Sequence, residues 1–517
     1  MMKKRILMCI LVSFAILTAS MPVYAWEGDS GYAGGISSGQ TPNNTTMDYR
    51  EVVFLSGEPI VFKGNLTIKK STKKDNVSGQ NIISTTYTFK NMQNLDKGAT
   101  LARSAVVYKT VLSLKDNGQT VEQTSMERPY TETIKIGSVN YVLKSVDFTR
   151  SNLIDPKPAI NYYAGDVWEK KTYQIGSTAN GGTVTVEETG NFYGYDQSWS
   201  SSEAQTLNYV IESAVKKGTT VDSWGGTASI NLSSNSTKQI RYVENKPNSI
   251  SFSGGYVQTQ NNTSILEYAS RMPEFDSSGV STDKTIEKKD SLKLESFPVE
   301  TRLPVPDLTR LRGHWAENDI KELFSLEIFK GNAPIFNPEQ LMTRAEFISA
   351  FVKAAKEVPQ DPALAGKTPK TTTSKSKSKE VIVSPFKDLS TQNIYFNDIY
   401  NAFKRGIVLG NGKSNFGPNN VIVKSEVVTM FIRALGLEGL APDKPVTTFA
   451  DNDKIPSFTR KAAYVAEKIG LIKADGKGNF NPNEKLTKAK AAEMLIGFVN
   501  YMCNGIQNDY KDEIVNF

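Results

Sequence analysis

The chain has 517 residues, too many for one compact core, and its length predicts about three or four domains. Apolar residues make up 39% of the chain and charged residues 22%, which excludes a wholly disordered protein. The chain has a single histidine, His314, and two cysteines, Cys9 and Cys503. These counts argue against a zinc site, a histidine-based catalytic triad and a disulfide-stapled fold. Residues 26–300 carry 28 Lys and Arg against 30 Asp and Glu, whereas residues 301–517 carry 30 against 24, so the C-terminal part is the expected surface for an acidic partner.

The first 25 residues have the order of a secretory signal peptide. Lys3, Lys4 and Arg5 precede an apolar run, and small residues ending at Ala25 supply a cleavage site. The alternative is an uncleaved anchor helix, but a run of about 15 apolar residues is shorter than the ~20 that span a bilayer. We therefore expect an exported protein that starts at Trp26, with no transmembrane anchor after cleavage.

Residues 50–275 are predicted to form β structure. Thr, Val, Tyr and Ser dominate there, with turn residues about every 8–12 positions, as is typical of β-sandwiches. The length fits one large sandwich or two smaller ones divided near residues 155–158. Residues 203–217 have the pattern of a lone helix. Residues 26–49 and 276–304 are predicted as a flexible N-terminal segment and as a linker rich in Ser, Lys, Glu and Pro.

No catalytic signature stands out in this β-rich region, which contains neither histidine nor a phosphate-binding glycine loop. A catalytic pair of carboxylates that acts on a glycosidic bond remains an alternative, although the sequence does not indicate which two carboxylates would form it. The one local feature is the aromatic segment FYGYDQSW at residues 192–199, in which strand alternation places Tyr193 and Tyr195 on one face. They form either a sugar-stacking platform or part of a core, and we favour the core.

An internal repeat organises the C-terminal part of the chain. Three segments align without a gap from Phe336, Phe416 and Phe480, each with Pro two residues later and a helix start seven residues later. Every unit is predicted as helix, Gly/Asn loop, Phe-x-Pro segment and second helix, and the apolar faces of these helices require the three units to pack together. The units span residues 305–356, 384–440 and 446–505, with a Lys/Ser/Thr-rich linker at 357–383 and a tail at 506–517.

These three tandem units, with their Phe-x-Pro turns and the helix start Thr343-Arg344-Ala345-Glu346, resemble S-layer homology domains, which hold exported proteins to the walls of Gram-positive and related bacteria. The resemblance covers about residues 305–505. It implies a pseudo-threefold helical bundle whose grooves bind an acidic, typically pyruvate-bearing, secondary cell-wall polysaccharide, with no cofactor. By position, the implied binding residues are Trp315, Thr343, Arg344, Glu346, Lys424, Glu426, Phe458, Thr487 and Lys488.

The units depart from the family pattern to different degrees. Only the first keeps the full motif, together with the pair His314-Trp315. The second has Val423 in place of Thr, and the third has Lys490 in place of Glu. We therefore expect the groove that carries Arg344 to contribute most to binding.

The helix start of the first unit has a structural and a functional interpretation. Thr343 and Glu346 fit a capping box, worth about 1 kcal/mol, but capping leaves Arg344 unexplained. A cation at the first helical position opposes the helix dipole unless an anion lies nearby, so we expect free N–H groups and the guanidinium to converge on one acidic group. Lys424 and Lys488 keep the positive charge, but lysine lacks the planar guanidinium with which arginine can hold an acidic group through two parallel hydrogen bonds. Trp315 either stacks on a sugar or fills the core.

The sequence as a whole predicts a multidomain surface protein. Its fold class is an all-β, sandwich-like N-terminal region followed by an α-helical, pseudo-threefold bundle of three repeats. The predicted partner is the acidic wall polysaccharide, and no nucleic acid, metal or cofactor is expected. Two alternatives stay open: the protein is itself a lattice subunit of a surface layer, or it is a wall-attached carbohydrate-active enzyme.

Overall fold

The computed structural model describes residues 34–39, 45–74, 80–176, 181–217, 220–244, 254–356 and 383–514. The predicted signal peptide and all but one residue of the predicted linker at 357–383 lie outside these ranges.

The N-terminal part is a single antiparallel sheet, and from Glu132 to Glu295 each strand pairs with the next strand along the chain. Along many of the strands alternate side chains turn inward, in keeping with the period of two of extended backbone. The described residues form sixteen strands: β1 (Gly35–Ser37), β2 (Thr46–Val53), β3 (Ile60–Lys74), β4 (Asn81–Asn94), β5 (Ala99–Arg103), β6 (Val106–Leu114), β7 (Thr120–Met126), β8 (Glu132–Ile136), β9 (Val139–Pro156), β10 (Asn161–Ile175), β11 (Gly182–Asp196), β12 (Ser200–Lys217), β13 (Thr220–Val243), β14 (Gly255–Phe275), β15 (Ser281–Glu295) and β16 (Val299–Arg302).

The sheet folds over so that its first strands face its last. Phe54, which follows β2, packs on Tyr209 and Tyr268, with ring centroids 5.3 and 6.4 Å apart. Lys288 of β15 forms an ion pair at 2.8 Å with Glu58, which lies in the same connection between β2 and β3 as Phe54. The predicted all-β class is confirmed. Because β9 and β10 pair continuously across residues 155–161, the suggested break near residues 155–158 is a hairpin connection.

Three local predictions are wrong. Residues 203–217 form β12 and not a helix, because their apolar side chains also recur with a period of two and face the core at Leu207, Tyr209 and Ile211. Residues 276–304, predicted as a linker, contain β15 and β16. The segment 26–49, predicted as flexible, contains β1 and the start of β2. Strand β15 is an edge strand with most side chains in solvent, so its Lys- and Glu-rich composition resembles that of a linker.

The C-terminal part is helical. Each Phe-x-Pro segment leads into an inner helix, and an outer helix of the following unit in the ring packs against it. The packed pairs are α3 (Phe396–Lys404) on α2 (Arg344–Ala355), α5 (Arg460–Lys468) on α4 (Lys424–Leu435), and α1 (Glu317–Ser325) on α6 (Lys488–Asn500). A π-helical turn at Tyr501–Gly505 joins α6 to α7, and short 3₁₀ turns lie at Thr309–Leu311, Ala333–Ile335, Leu437–Leu440 and Asn452–Lys454. The described residues form seven α-helices: α1 (Glu317–Ser325), α2 (Arg344–Ala355), α3 (Phe396–Lys404), α4 (Lys424–Leu435), α5 (Arg460–Lys468), α6 (Lys488–Asn500) and α7 (Ile506–Ile514).

A ring of three backbone hydrogen bonds confirms the pseudo-threefold arrangement. The N–H of Met342 donates to the carbonyl of Leu486 (2.9 Å), that of Leu486 to Ile422 (3.1 Å), and that of Ile422 to Met342 (3.0 Å). Each of these residues lies two positions before an inner helix, so every unit contacts both others. Phe351 and Phe431 then pack at 5.1 Å in the shared core between the inner helices.

The β-rich region contacts backbone carbonyls at the C-terminal ends of α2 and α4 and in the π-helical turn that follows α6. Helix ends leave backbone carbonyls without partners, and here side chains of the β region supply donors. Trp199 and Tyr195 are 0% and 1% exposed, so the aromatic segment at residues 192–199 is part of a core shared with the bundle, as favoured above. The bonds are Trp199 Nε1 to the Ala354 carbonyl (2.8 Å), the Tyr162 hydroxyl to the Leu435 carbonyl (3.0 Å) and the Ser200 hydroxyl to the Met502 carbonyl (2.8 Å).

Candidate functional site

The starts of the inner helices are capped as the sequence suggests. The N–H of Thr343 donates to Glu346 Oε2 at 2.9 Å, and the N–H of Glu346 donates to the Thr343 hydroxyl at 3.2 Å. Thr487 accepts the N–H of Lys490 at 3.2 Å in the third unit. Val423 has no hydroxyl, although its N–H still donates to a carboxylate three residues later at 3.2 Å. These two threonines therefore have a structural task at the helix starts.

The expectation of free N–H groups at these helix starts is wrong. In each unit the first N–H of the inner helix already donates to a carbonyl in the loop of a neighbouring unit. The sequence shows the repeat but not these contacts, which arise only when the units close into a ring. An anion near these helix starts must therefore be held by side chains. The three bonds are Arg344 to Asn420 (2.8 Å), Lys424 to Glu484 (3.0 Å) and Lys488 to Gln340 (2.9 Å).

The cation at each helix start lies over the leading phenylalanine of another unit. A cation over a ring face is attracted by the ring quadrupole, which fixes the position of the charged group at the junction between units. The pairs are Arg344 over Phe416 (4.9 Å), Lys424 over Phe480 (5.2 Å) and Lys488 over Phe336 (5.7 Å).

Two of these three cations are neutralised by a carboxylate. Arg344 forms an ion pair with Glu426, and its Nε also donates to a backbone carbonyl at 3.0 Å. Lys488 lies 3.2 Å from Glu346. Burial alone would raise the pKa of Glu346, but hydrogen bonds from Thr343 and the charge of Lys488 lower it below its usual value. Glu426 and Glu346 therefore each pair with a helix-start cation of another unit within the bundle.

Lys424 is different because the third unit has Lys490 where the other units have glutamate. In the described part of the chain, Lys424 has no carboxylate within ion-pair distance. Burial lowers the pKa of Lys424, with Glu484 opposing this shift and the positive charge of Lys490 adding to it. Lys490 contacts the half-exposed Glu493 at 3.2 Å and lies 4.9 Å from the centre of the Trp315 ring. Two cations and one indole thus lie at the same junction.

The aromatic residues that precede the outer helices face solvent. Trp315 and Phe458 are each 55% exposed, and Ile394, at the equivalent position of the second unit, is 85% exposed. The interpretation of Trp315 as core is therefore wrong, and its ring is open to a ligand. His314 packs beside Trp315 and makes a hydrogen bond to Glu339 through Nε2 at 2.9 Å. Among the described residues, no group of three or more His, Cys, Asp and Glu is arranged to hold a metal ion.

The β region buries several carboxylates in its interior. Glu132 and Glu51 both contact Arg103, whose side chain is 1% exposed. Glu188 is 3% exposed, and one of its carboxyl oxygens has no hydrogen-bond partner in the described chain. Burial, followed by the charge of Glu169, raises the pKa of Glu188 to about 8. The sequence does not show this cluster because its members come from strands far apart in the chain.

We expect Glu188→Gln to raise the free energy of unfolding at high pH. The folded protein keeps the Glu188 proton up to a pKa of about 8, whereas the unfolded chain releases it near 4.5. Stability therefore falls as the pH rises between these values, and glutamine, which resembles the protonated form, removes the loss. Urea unfolding should show a small difference at about pH 5 and a larger one at about pH 9. An equal gain for Glu212→Gln, an exposed neighbour on β12, would contradict this cause.

Comparison with known proteins identifies the repeated units. The model of the S-layer homology domain matches residues 311–348, 385–427 and 448–492, each range inside one predicted unit. An amylopullulanase of Thermoanaerobacterium thermosulfurigenes is 26% identical over 37% of this chain and 9% of its own length. The surface-layer 125 kDa protein of Lysinibacillus sphaericus is 26% identical over 37% of this chain and 14% of its own. S-layer protein EA1 of Bacillus anthracis is 26% identical over 35% of this chain and 19% of its own.

The chain thus covers less than a fifth of the length of each of these relatives, which include both surface-layer proteins and an enzyme. Within the described residues, no helix has the length and apolar character needed to cross a membrane. The ring of three units, the repeated helix starts and the family match agree. Residues 311–492 of this chain therefore hold three S-layer homology domains, which place the protein at the cell wall or cell surface.

Proposed function

We propose that this protein is exported and held non-covalently at the cell wall because its three-unit bundle binds an acidic, typically pyruvate-bearing, wall polysaccharide. The observation that carries the proposal is the junction of Lys424, Lys490 and Trp315. Among the described residues no carboxylate lies within ion-pair distance of Lys424, so Lys424 and the neighbouring Lys490 attract an anion, and the half-exposed indole offers a flat face to a sugar ring. No cofactor takes part.

The ion pairs in the structure change the order in which we expect the three helix-start cations to contribute to binding. Arg344 and Lys488 already have carboxylate partners, so an acidic sugar must compete with Glu426 and Glu346 for them. Among the residues that the structure describes, Lys424 has no such competitor, and its partial burial makes an unpaired charge costly. We therefore place the strongest binding at Lys424 and Lys490, with the Arg344 groove second, the reverse of the order that the sequence suggests.

The same geometry supports an outward-facing β region. The cations lie at the N-terminal ends of the inner helices, and the β region contacts backbone carbonyls at or next to the opposite ends. The inner helices have 12, 12 and 13 residues. At a rise of ~1.5 Å per residue, about 18 Å separates the two ends. A polymer bound at the cations would thus lie on the side of the bundle away from the β region.

Co-sedimentation of the full-length chain with purified wall sacculi tests this proposal. Lys424→Gln/Lys490→Gln should weaken binding at least about tenfold, the usual effect of removing hydrogen bonds to a charged group. The charge-matched control is Lys115→Gln/Lys135→Gln, which removes two positive charges from exposed positions of the β region, and Arg344→Gln/Glu426→Gln tests the Arg344 groove. Each should alter binding by less than about threefold.

Two outcomes would contradict the proposal in different ways. A larger loss in the Arg344/Glu426 variant would return the main site to the Arg344 groove. Unchanged binding of the wild-type chain to sacculi stripped of their acidic polysaccharide would show that the bundle binds another wall component.

A further inference from the structure

The outer face of the β sheet carries a tryptophan that takes no part in the apolar cores. Trp168 lies on β10 between the buried residues Val167 and Glu169, so its side chain points to the opposite, outer face. Among the described residues, Trp199 lies in one apolar cluster and Trp224 packs against another, whereas Trp168 belongs to none. In the same part of the chain its ring contacts no other ring and no cation. Because tryptophan is usually well buried, a partly exposed indole without a packing role is available to a ligand.

Two hydrogen bonds to one carboxylate fix the orientation of this indole. Trp168 Nε1 donates to Glu187 Oε1 on β11 at 3.1 Å, and Lys170 Nζ donates to Glu187 Oε2 at 2.9 Å. The hydrogen bonds from Lys170 and then from Trp168 lower the pKa of Glu187, so the carboxylate that holds the indole is charged at neutral pH. A ring that is already oriented loses little conformational entropy when a ligand packs on it.

Trp168 belongs to a row of side chains that crosses five strands on the outer face. In order from β9 to β13, the row consists of Thr149, Trp168, Thr189, Asn208 and Ser229. At a strand spacing of ~4.8 Å, the row is about 19 Å long. Within the described residues, the four polar side chains make no hydrogen bond to the protein. The row therefore offers one aromatic ring flanked by hydroxyl and amide groups that can donate and accept hydrogen bonds.

The charges around this row are acidic in balance. Lys170, which is paired with Glu187, also lies in the electrostatic field of Glu212 and Asp147. Asp166 is exposed on the same face of β10. Such a surface repels an anionic polymer but does not repel an uncharged one. The ligand that fits the outer face is therefore uncharged and differs from the acidic polymer proposed for the helix starts.

We propose that the outer face of the β region binds a neutral, β-linked polysaccharide along this row, with one pyranose ring stacked on Trp168. The C–H face of such a ring is apolar and packs on the indole, while its hydroxyl groups exchange hydrogen bonds with Thr189 and Asn208. Sugar units joined through equatorial bonds form an extended chain, which suits a row of about 19 Å. This inference goes beyond wall anchoring, because it gives the β region a ligand of its own.

The test is titration calorimetry of the full-length chain with cellohexaose, xylohexaose and mannohexaose at low and high salt. At least one of these neutral probes should bind with a Kd below about 1 mM, and salt should not change the affinity because no charge takes part. Trp168→Ala should weaken that binding at least about tenfold, and Asn208→Ala about threefold. Phe297→Ala is the matched control, since it removes a 91% exposed ring outside the row, and it should change binding less than about twofold.

The structural effect of the variants is measured by urea unfolding. Because Trp168 lies outside the cores, the midpoint for Trp168→Ala should match that of the wild type, so that a loss of binding reports the missing ring. If the midpoint falls, Asn208→Ala, which truncates an exposed side chain of the same row, decides the question.

Four results would overturn this inference. The first is a wild-type chain that binds none of the three probes, and the second is undiminished binding by both Trp168→Ala and Asn208→Ala. The third is an equal loss in Phe297→Ala, since binding would then follow exposed aromatic area in general. The fourth is lost co-sedimentation of Trp168→Ala with wall sacculi, which would show that this face binds the acidic wall polymer itself. Normal wall binding by Lys424→Gln/Lys490→Gln would refute the proposed anchor site and leave the neutral ligand of the β region in place.

Discussion

Replacing Arg103 by methionine is expected to destabilise the β region by about 3–5 kcal/mol, a large part of the ~5–15 kcal/mol that holds a typical domain folded. The guanidinium donates to both oxygens of Glu51 at 2.7 and 2.9 Å and also pairs with Glu132. It lies 4.7 Å from the centre of the Phe89 ring, with its side chain 1% exposed. Methionine fills much of the space but leaves two buried carboxylates without this partner.

The electrostatic balance at Arg103 explains the size of this effect. Burial alone would raise the pKa of Glu132, but the charge of Arg103, followed by that of Lys171, holds it below its usual value. Without Arg103 the two buried carboxyls lose this cationic partner, and an acidic group left uncompensated in the interior costs stability.

The measurement is urea unfolding followed by near-ultraviolet circular dichroism, which reports the packed tyrosines. The control is the triple variant Arg103→Met/Glu51→Gln/Glu132→Gln, which removes the charges together and should recover much of the loss. A loss below about 1 kcal/mol for Arg103→Met alone would mean that water reaches these carboxylates in the folded protein.

Sequence reasoning succeeded where the information is local or repeated. The Phe-x-Pro segments and the Thr343 capping box follow from residues only a few positions apart, and the structure contains both. The effect of the lysine at position 490 on Lys424 could not be predicted in the same way. The sequence shows that Lys490 replaces a glutamate, but its effect falls on Lys424 in another unit, because ring closure brings the two together.

Two predictions for the β region were wrong for a related reason. Residues 203–217 satisfy both a helical and an extended pattern, and pairing with β11 and β13 decides between them. Strand β15 has the composition of a linker because, as an edge strand, it buries little. Long-range contacts of this kind carry no signal in a single sequence, and the same holds for the bond between Trp199 and Ala354, which are 155 positions apart.

Trp199→Ala is expected to cost about 3–5 kcal/mol and to uncouple the β region from the bundle. The indole is 0% exposed, its Nε1 donates to the Ala354 carbonyl at 2.8 Å, and Lys356 lies 4.1 Å from the ring centre. Alanine would leave a cavity in the shared core and an unpaired carbonyl at the end of α2. Since the β region and the bundle share that core, we expect the wild-type chain to unfold in one cooperative transition.

Thermal unfolding with two probes measures this coupling. Circular dichroism at a helix-sensitive wavelength follows the bundle, and tyrosine absorbance is weighted toward the β region. The two curves should coincide for the wild type and separate for Trp199→Ala. Trp224→Ala is the matched control, because Trp224 packs on Phe275 within the β region, away from the bundle. That variant should lower the unfolding temperature without separating the curves.

Whether the two unfolding curves separate shows whether the bundle holds the β region in a fixed orientation. If the wild-type curves coincide, the contacts between the β region and the inner helices join the bundle and the β region into one rigid body, and the position of the bundle fixes the orientation of the β region. If they already separate in the wild type, the three carbonyl contacts are weak and the bundle acts as an independent module. Coincident curves for Trp199→Ala would instead show that Tyr162 and Ser200 hold the interface without the indole.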